Sequence, residues 1–247
     1  MQQAYQAIRI VSEAQTIRVG LSTDPDELML RELCTLCASL SGGASDGIKA
    51  VVLDFSSVGK SLRGEASKDA NKDGVKDGHK DGHKDAINRV PTGVEQAYGA
   101  VCGIAQPVLG VARDTLSPVA CKLLSAADFT LVAEDARLII MGKGEEQQDY
   151  QLSGANAARL RYVTWSVAAS DISKEMERIL NMLREKSAVA LRYAKASVRL
   201  DQSEHSTPLE ALQRINTLYL DELMRTQDAV EGLRAFLEKR KPVWRNQ

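Results

Sequence analysis

Apolar residues follow two different spacings along the chain, and each spacing predicts a different kind of element. In the segment AIRIVSEAQTIRVGLS they alternate with polar residues on either side of Gln15, which predicts a β-hairpin from Ile8 to Leu21. The short Val-rich runs KAVVLDFSS and PVLGVAR predict buried parallel strands, and DFTLVAEDARLII supplies further strand material. Between these runs, ELMLRELCTLCASL, VEQAYGAVCGIA and CKLLSAAD carry apolar residues at helical spacing.

Strands that alternate with helices predict an α/β unit with a largely parallel sheet and right-handed crossovers. From Asp171 onward the pattern is helical only, in SKEMERILNMLREK, SAVALRYAKASVRL and PLEALQRINTLYLDELMR. The run Thr207-Pro208-Leu209-Glu210 is a capping box with proline at the first helical position, so a helix should begin there. We therefore expect an α/β core over residues 1–165 and a helical C-terminal region over residues 166–247.

Charge and hydropathy exclude several classes of partner. The 32 basic and 33 acidic residues give a net charge of −1, whereas nucleic-acid-binding proteins usually carry a basic excess. The apolar runs are far shorter than the roughly 20 residues that span a bilayer. The N-terminus MQQAYQAIRI lacks the basic and apolar regions of a secretory signal. We expect a cytoplasmic protein with no nucleic-acid and no membrane partner.

The four cysteines do not predict a disulfide framework or a zinc site. Cys34 and Cys37 form a CxxC motif, but it lies within the Leu-rich helix rather than at the start of a helix after a strand. No second CxxC follows to complete a metal site. Buried thiols that pack as small apolar side chains are the expected role.

Residues 68–87 consist of five tetrads that each begin with Lys-Asp, so their charges cancel apart from the histidines. One hypothesis is calcium binding, because the spacing matches several positions of an EF-hand loop, in Asp69, Asn71, Asp73, Gly74 and Asp77. Lys80 stands where the bidentate glutamate belongs. His79 and His83 could form a metal pair on a helix, but the glycines disfavour that helix. The lysines could also clamp phosphate. A solvated low-complexity insert is favoured, and no metal site is predicted.

The segment QPVLGVARDTLSPVACKLLSAAD, residues 106–128, resembles the central segment of the crotonase (enoyl-CoA hydratase/isomerase) family, K-P-V-I-A-A-V-N-G-x-A-x-G-G-G-x-E-L-A-x-x-C-D. Pro107, Val108, Leu123 and Asp128 match it without a gap. Similar resemblances are found in IKAVVLDFSSVGKSL, FTLVAEDARL, ANAARLRYVTWSV and, most specifically, DAVEGLRAFLEKRKPVW. The terminal helices are also weakly similar to those of cyclic dienoyl-CoA hydratases.

This resemblance implies a crotonase-like (ClpP/crotonase) β-β-α superhelix core with a helical C-terminal trimerisation region, assembled as a homotrimer or hexamer. It also implies an acyl-CoA thioester as substrate, with no further cofactor. Two backbone N–H groups would stabilise an enolate oxyanion. Those donors correspond to Glu65 or Ala66, of which Ala66 is our candidate, and to Val119. The family's residues that hold the CoA nucleotide correspond to Phe236 and Lys239, although Lys239 also belongs to a C-terminal charge cluster that a helix dipole would favour.

The chain departs from the family pattern at the catalytic positions. Pro118-Val119-Ala120 replaces the glycine triplet, so Pro118 has no N–H to offer and Val119 adds a branched side chain. Lys122 stands in place of the first catalytic glutamate and becomes a third catalytic candidate, with Asp114 or Arg113 as its expected partner. Gly142 aligns with the second glutamate, and Glu145 and Glu146 lie close by.

Three functions stay open at this point. The chain could be a divergent acyl-CoA lyase or isomerase that lacks the usual glutamates. It could instead be a catalytically inactive crotonase-fold protein that serves as a structural or regulatory partner. A metal-binding module built on the Lys-Asp repeat is the third possibility.

Overall fold

The computed structural model describes residues 5–41, 47–55, 93–142, 149–201 and 207–246. Within these ranges the strands of the main sheet are β1 (Arg9–Glu13), β2 (Thr16–Leu21), β3 (Ala50–Phe55), β4 (Val108–Ala112), β5 (Phe129–Ala133) and β8 (Trp165–Val167). Their order across the sheet is β1-β2-β3-β4-β5-β8. Of these six strands, β1 runs antiparallel to its neighbour and the others are parallel.

A second, two-stranded antiparallel sheet pairs β6 (Arg137–Ile140) with β7 (Tyr150–Ser153). The helices are α1 (Glu27–Ser41), α2 (Gly93–Gly103), α3 (Pro118–Leu124), α4 (Gly154–Arg159), α5 (Ile172–Arg184), α6 (Ala188–Asp201), α7 (Pro208–Thr217) and α8 (Gln227–Leu237). The predicted hairpin, the buried strands and the helices between them are confirmed.

The core lies on both faces of the main sheet. Val51, Leu53 and Phe55 of β3 pack with α1 and α2 on one face. Ala50 and Val52 pack against α5 on the other face. Because both faces are covered, β3 and β4 are apolar at nearly every position rather than alternating, which is why the sequence shows continuous Val-rich runs.

The predicted long helix after Pro208 is interrupted. The capping box at Thr207 and Glu210 is confirmed, and α7 begins there. The α-helix then ends at Thr217, and a π-helical turn (Leu218–Glu222) and a 3₁₀ turn (Leu223–Arg225) lead to Thr226. Thr226 caps α8 by accepting a hydrogen bond from the Ala229 N–H at 3.2 Å. The prediction of one continuous helix was therefore wrong over its last two turns.

A carboxylate near the start of α8 holds the residues that follow this helix. Asp228 is buried and accepts hydrogen bonds from the Ser187 hydroxyl at 2.5 Å and from the backbone N–H groups of Arg245 and Asn246. The Trp244 indole N–H donates to the Glu185 carbonyl at 2.7 Å. Segment 244–246 thus folds back against the turn between α5 and α6.

The structure tests only some of the remaining sequence predictions. Cys34 and Cys37 lie inside α1 as expected, and the four cysteines are free thiols. The Lys-Asp repeat, with its calcium, histidine and phosphate hypotheses, lies outside the described residues. Among the described residues, no group of three or more potential ligands could hold a metal ion. Their helices also include none long and apolar enough to cross a membrane. The boundary between residues 165 and 166 stays a prediction.

Candidate functional site

The segment that connects β4 to α3 is fixed at several points, and it sets the position of Val119. The Leu116 N–H donates to the Arg137 carbonyl at 2.8 Å, and the Leu116 carbonyl accepts from the Ile139 N–H at 3.2 Å. One residue later, the Ser117 N–H donates to the Thr23 carbonyl at 2.9 Å. The start of α3 is therefore tied both to β6 and to the segment that follows β2.

Ser117 is the N-cap of α3, and its hydroxyl accepts a hydrogen bond from the Ala120 N–H at 3.3 Å. Pro118 occupies the first helical position, where an N–H would have no intrahelical partner in any case. Val119 occupies the second position, and its N–H has no hydrogen-bond partner among the described residues. The proline therefore does not disturb the helix start, and the next backbone donor is the one left available.

Close contact between β4 and α3 also fixes the helix. A Cβ atom on Gly110 of β4 would lie 2.6 Å from Leu124 Cδ1 and 3.3 Å from Ala127 Cβ, so a larger residue there would force the buried Leu124 side chain to move. Leu123 and Leu124 are buried beneath the helix. The half-buried Val119 side chain packs at the margin of the same core. The geometry of this end of α3 is thus built into the strand below it.

Lys122, the third catalytic candidate, points toward α2. Its ammonium lies 3.4 Å from a Glu95 carboxylate oxygen and 4.6 Å from the centre of the Tyr98 ring. About a third of its side chain is exposed, at 34%. The expected pairing of Lys122 with Asp114 or Arg113 was wrong, because its partners come from a neighbouring helix.

Arg113 instead belongs to a separate ionic cluster on the sheet. Its guanidinium donates to a carboxylate oxygen of the buried Asp54 at 2.7 Å, and Arg18 pairs with the other oxygen. The three residues link β2, β3 and the segment after β4. This cluster had no counterpart in the sequence analysis, since its members are far apart along the chain.

The remaining candidates lie elsewhere. Phe236 and Lys239 are both exposed at the last turn of α8, and the Phe236 side chain is 80% exposed. Lys239 has a φ of 54°, and its N–H donates to the Phe236 carbonyl at 3.2 Å, which ends the helix. No hydrogen bond or ion pair between described residues joins Phe236 or Lys239 to α3. Ala66, Glu145 and Glu146 lie outside the described residues, and Gly142 follows β6.

A second cluster of charged residues was not predicted from the sequence, although Asp128 had been matched to a family motif. Asp128 precedes β5 and accepts hydrogen bonds from the Lys195 ammonium and from the Val108 N–H, each at 2.7 Å. Arg199 donates to its other oxygen at 3.1 Å. Lys195 and Arg199 are one helical turn apart on α6, a spacing that could have indicated a shared partner.

Two known hydratases are similar in sequence to parts of the chain. No protein-family model matches the chain. A stretch of 60 residues is 47% identical to cyclohexa-1,5-dienecarbonyl-CoA hydratase of Thauera aromatica, covering 24% of this chain and 22% of that protein. Over 170 residues the chain is 26% identical to a probable enoyl-CoA hydratase of Mycobacterium leprae, covering 59% of this chain and 65% of that protein. Each match spans less than two thirds of the relative.

The similarity of fold extends over nearly the whole chain. The chain superposes on the enoyl-CoA hydratase of Mycobacterium smegmatis with a TM-score of 0.72 at 20% identity, over 97% of this chain and 99% of that one. The enoyl-CoA hydratase of Bacillus anthracis gives a TM-score of 0.72 at 20% identity, over 98% and 100%. The predicted crotonase-like α/β fold is therefore confirmed, and the resemblance to cyclic dienoyl-CoA hydratases has a local counterpart in the Thauera match.

Proposed function

We propose that the chain is a divergent member of the enoyl-CoA hydratase/isomerase family and binds an acyl-CoA thioester at the N-terminal end of α3. The observation that carries this proposal is the position of Val119, at the second residue of a capped helix that directly follows a central strand. A backbone N–H there has no intrahelical acceptor and is available to a carbonyl oxygen. The fold and the local similarity to an acyl-CoA hydratase support the same substrate class.

In this proposal the Val119 N–H is one oxyanion donor and the backbone at Ala66 supplies the other. Preformed donors aimed at the thioester oxygen stabilise the negative charge that develops on it. Phe236 and Lys239 would contact the CoA nucleotide, with the Lys239 ammonium acting as a point charge toward phosphate. The thioester is itself the substrate, so no separate cofactor is required.

The reaction that follows binding would be that of a lyase or an isomerase. The two glutamates that usually activate water correspond to Lys122 and Gly142, so hydration by the usual pair is not expected. Lys122 is placed one turn after Val119, but Glu95 and Tyr98 attract its ammonium toward α2. Cyclic dienoyl-CoA esters are the first substrates to test, because the Thauera similarity is to a hydratase of that class.

A second candidate function is that of a catalytically inactive crotonase-fold protein that acts as a structural or regulatory partner. The paired state of Lys122 favours it, since a cation held by a carboxylate and a ring is poorly placed to move a proton. Under this alternative the chain would bind acyl-CoA without turning it over, or would not bind it. Assembly as a homotrimer or hexamer is proposed in either case, and apolar side chains exposed on α7 and α8 support it.

The direct test is calorimetric titration with crotonyl-CoA and acetyl-CoA, with free CoA as the reference. Val119→Pro removes the proposed donor, and the first turn of a helix tolerates proline. One hydrogen bond contributes about 0.5–1.5 kcal/mol. We therefore expect the variant to bind both thioesters roughly twofold to tenfold more weakly, with free CoA unchanged.

Pro118→Ala is the matched control, because it alters the neighbouring residue without removing a donor. It should bind thioesters like the natural sequence, and melting temperatures should show that both variants fold. Equal affinity of Val119→Pro and the natural sequence would exclude the oxyanion role of Val119. Failure of the natural sequence to bind any CoA species would favour the partner function, and an assay with cyclic and linear enoyl-CoAs would separate active from inactive binding.

A further inference from the structure

The cluster of Asp128, Lys195 and Arg199 lies at the N-terminal edge of the main sheet, at the end of the strands remote from Val119. Asp128 immediately precedes β5, whereas Val119 follows the C-terminal end of β4. Five residues of strand separate these two edges, or roughly 16 Å at the usual rise per residue. The cluster is therefore not part of the candidate thioester site.

The charges in this cluster do not balance. Two cations face one carboxylate, and the Lys195 side chain is only 6% exposed. Its ammonium also donates to the Gln106 carbonyl at 2.9 Å. Burial lowers the pKa of Lys195, while the hydrogen bond to Asp128 acts to raise it. Arg199 donates through one nitrogen to Asp128 and also interacts with the Cys102 thiol. Its Nε is buried without a hydrogen-bond partner among the described residues, and about a third of its side chain is exposed.

A cleft of about 470 Å³ opens beside these residues, between α6 and the start of β5. Asp128, Lys195 and Arg199 are the charged residues of its lining, which leaves a net charge of +1. The rest is mainly apolar, and includes Phe129, Leu183, Leu191 and Val198. A larger cleft of about 750 Å³ meets it at Cys102, Lys195 and Arg199. These volumes are typical of sites for small organic ligands.

We propose that this cleft binds an apolar monocarboxylate, with the carboxylate against Arg199 and the hydrocarbon along the apolar wall. An excess cation in a half-buried apolar cleft is unfavourable unless an anion compensates it. A guanidinium that already donates on one side to Asp128 keeps donors in a planar fork for a second carboxylate. A single negative head and an apolar body are therefore the properties that the cleft recognises.

Octanoate is the probe for this site, and octanamide is its uncharged counterpart. We expect octanoate to bind the full chain at least tenfold more tightly than octanamide in a calorimetric titration. Arg199→Gln removes the excess charge and leaves the Lys195–Asp128 pair balanced, so the protein should fold and lose roughly tenfold or more in octanoate affinity. Arg178→Gln, on the exposed face of α5, is the matched control and should bind octanoate normally.

A blocking variant separates this cleft from other apolar surfaces. Ala194 is exposed and lines the cleft, so Ala194→Trp should fill its opening without disturbing the core. Octanoate binding should be lost in this variant and should persist in Val119→Pro. The proposal is overturned if the natural sequence does not bind octanoate, if Arg199→Gln or Ala194→Trp binds it unchanged, or if octanamide binds equally well. None of these results depends on whether acyl-CoA binds at α3.

Discussion

The sheet with its covering helices and the C-terminal helices α7 and α8 are stabilised in different ways. The central strands β3 and β4 of the sheet are buried at every position. Among the described residues of α7, by contrast, Ala211 alone is buried, while Leu209 and Leu212 are exposed. On α8, Leu233, Phe236 and Leu237 are exposed as well.

Polar contacts replace apolar burial in the C-terminal region. Asp228 binds the returning segment 244–246, and Glu231 holds Arg240 and the Val243 N–H. The comparison shows that helical spacing of apolar residues indicates a face that favours burial, but does not specify what buries it. In the sheet region the same chain buries that face. In α7 and α8, a second copy is the proposed cover.

The largest expected difference is in the free energy of unfolding, between substitutions of one leucine in each region. Leu53→Ala in β3 removes a fully buried side chain and should lower the free energy of unfolding by about 2–5 kcal/mol. Leu233→Ala on α8 starts from a side chain that is 55% exposed, and should cost about 0.5 kcal/mol or less in the monomer. Urea denaturation at low protein concentration measures both. Comparable losses would mean that Leu233 is buried in an assembly that persists on dilution.

Removing a polar contact should have the next largest effect in the C-terminal region. Asp228→Ala leaves the Ser187 hydroxyl and the N–H groups of Arg245 and Asn246 without their acceptor, at a cost of about 1–3 kcal/mol. Asp221→Ala, which removes an exposed partner of Arg225, should change stability by about 0.5 kcal/mol or less. Equal effects of the two substitutions would show that Asp228 does not hold segment 244–246.

The polar contacts should also make the C-terminal region sensitive to acid. Hydrogen bonding from Arg240, followed by that from the Val243 N–H, lowers the pKa of Glu231 to about 2. A carboxylate with a lowered pKa in the folded state contributes stability above its unfolded pKa, and this contribution is lost as the pH falls toward the folded value.

Stability should therefore decrease as the pH falls from about 4.5 toward 2, and the decrease should be smaller in Glu231→Gln. Denaturation of both proteins at a series of pH values tests this. Glu175 and Glu210, whose pKa values are also lowered, remain in both proteins, so the difference between the curves isolates Glu231. Parallel curves would contradict the prediction.

The smallest expected effect concerns the cysteine thiols, whose rate of alkylation reports how often the well-buried region opens. Burial raises the pKa of Cys37 and of Cys121 to about 12. Since the thiolate is the reactive form, both should react very slowly with iodoacetamide at neutral pH and rapidly once the protein is denatured. Mass spectrometry of labelled peptides gives the rates. Fast labelling of either thiol in the native protein would show that its part of the core opens readily.

Much of the fold could be predicted because its signals are local. The Val-rich runs predicted β3 and β4, and Thr207 with Glu210 predicted where α7 begins. Strand β7 gave no such signal, because Tyr150 and Gln151 are exposed and their pattern does not alternate with buried residues. The π-helical turn at Leu218–Glu222 kept apolar residues at helical spacing, so the pattern showed no interruption.

The candidate site was less predictable because its contacts join distant residues. The third helix was predicted at CKLLSAAD, whereas α3 begins three residues earlier, at Pro118 after the Ser117 cap, and ends at Leu124. The Glu95 partner of Lys122 comes from another helix, and Arg199 and Asp128 are 71 residues apart. A charged residue reveals its own chemistry in a sequence, but not which distant partner the fold brings to it.

The strand order has a consequence for how the backbone exchanges its amide hydrogens with solvent. β3, β4 and β5 each have a hydrogen-bonded neighbour on both sides, whereas β1 and the three-residue β8 form the edges. Amides in the central strands should exchange only through opening of the whole domain, and those in β1 through local fraying. The slowest protons should therefore define a central band of the sheet that includes the strand beneath α3, and the candidate thioester site rests on the part of the molecule that opens least often.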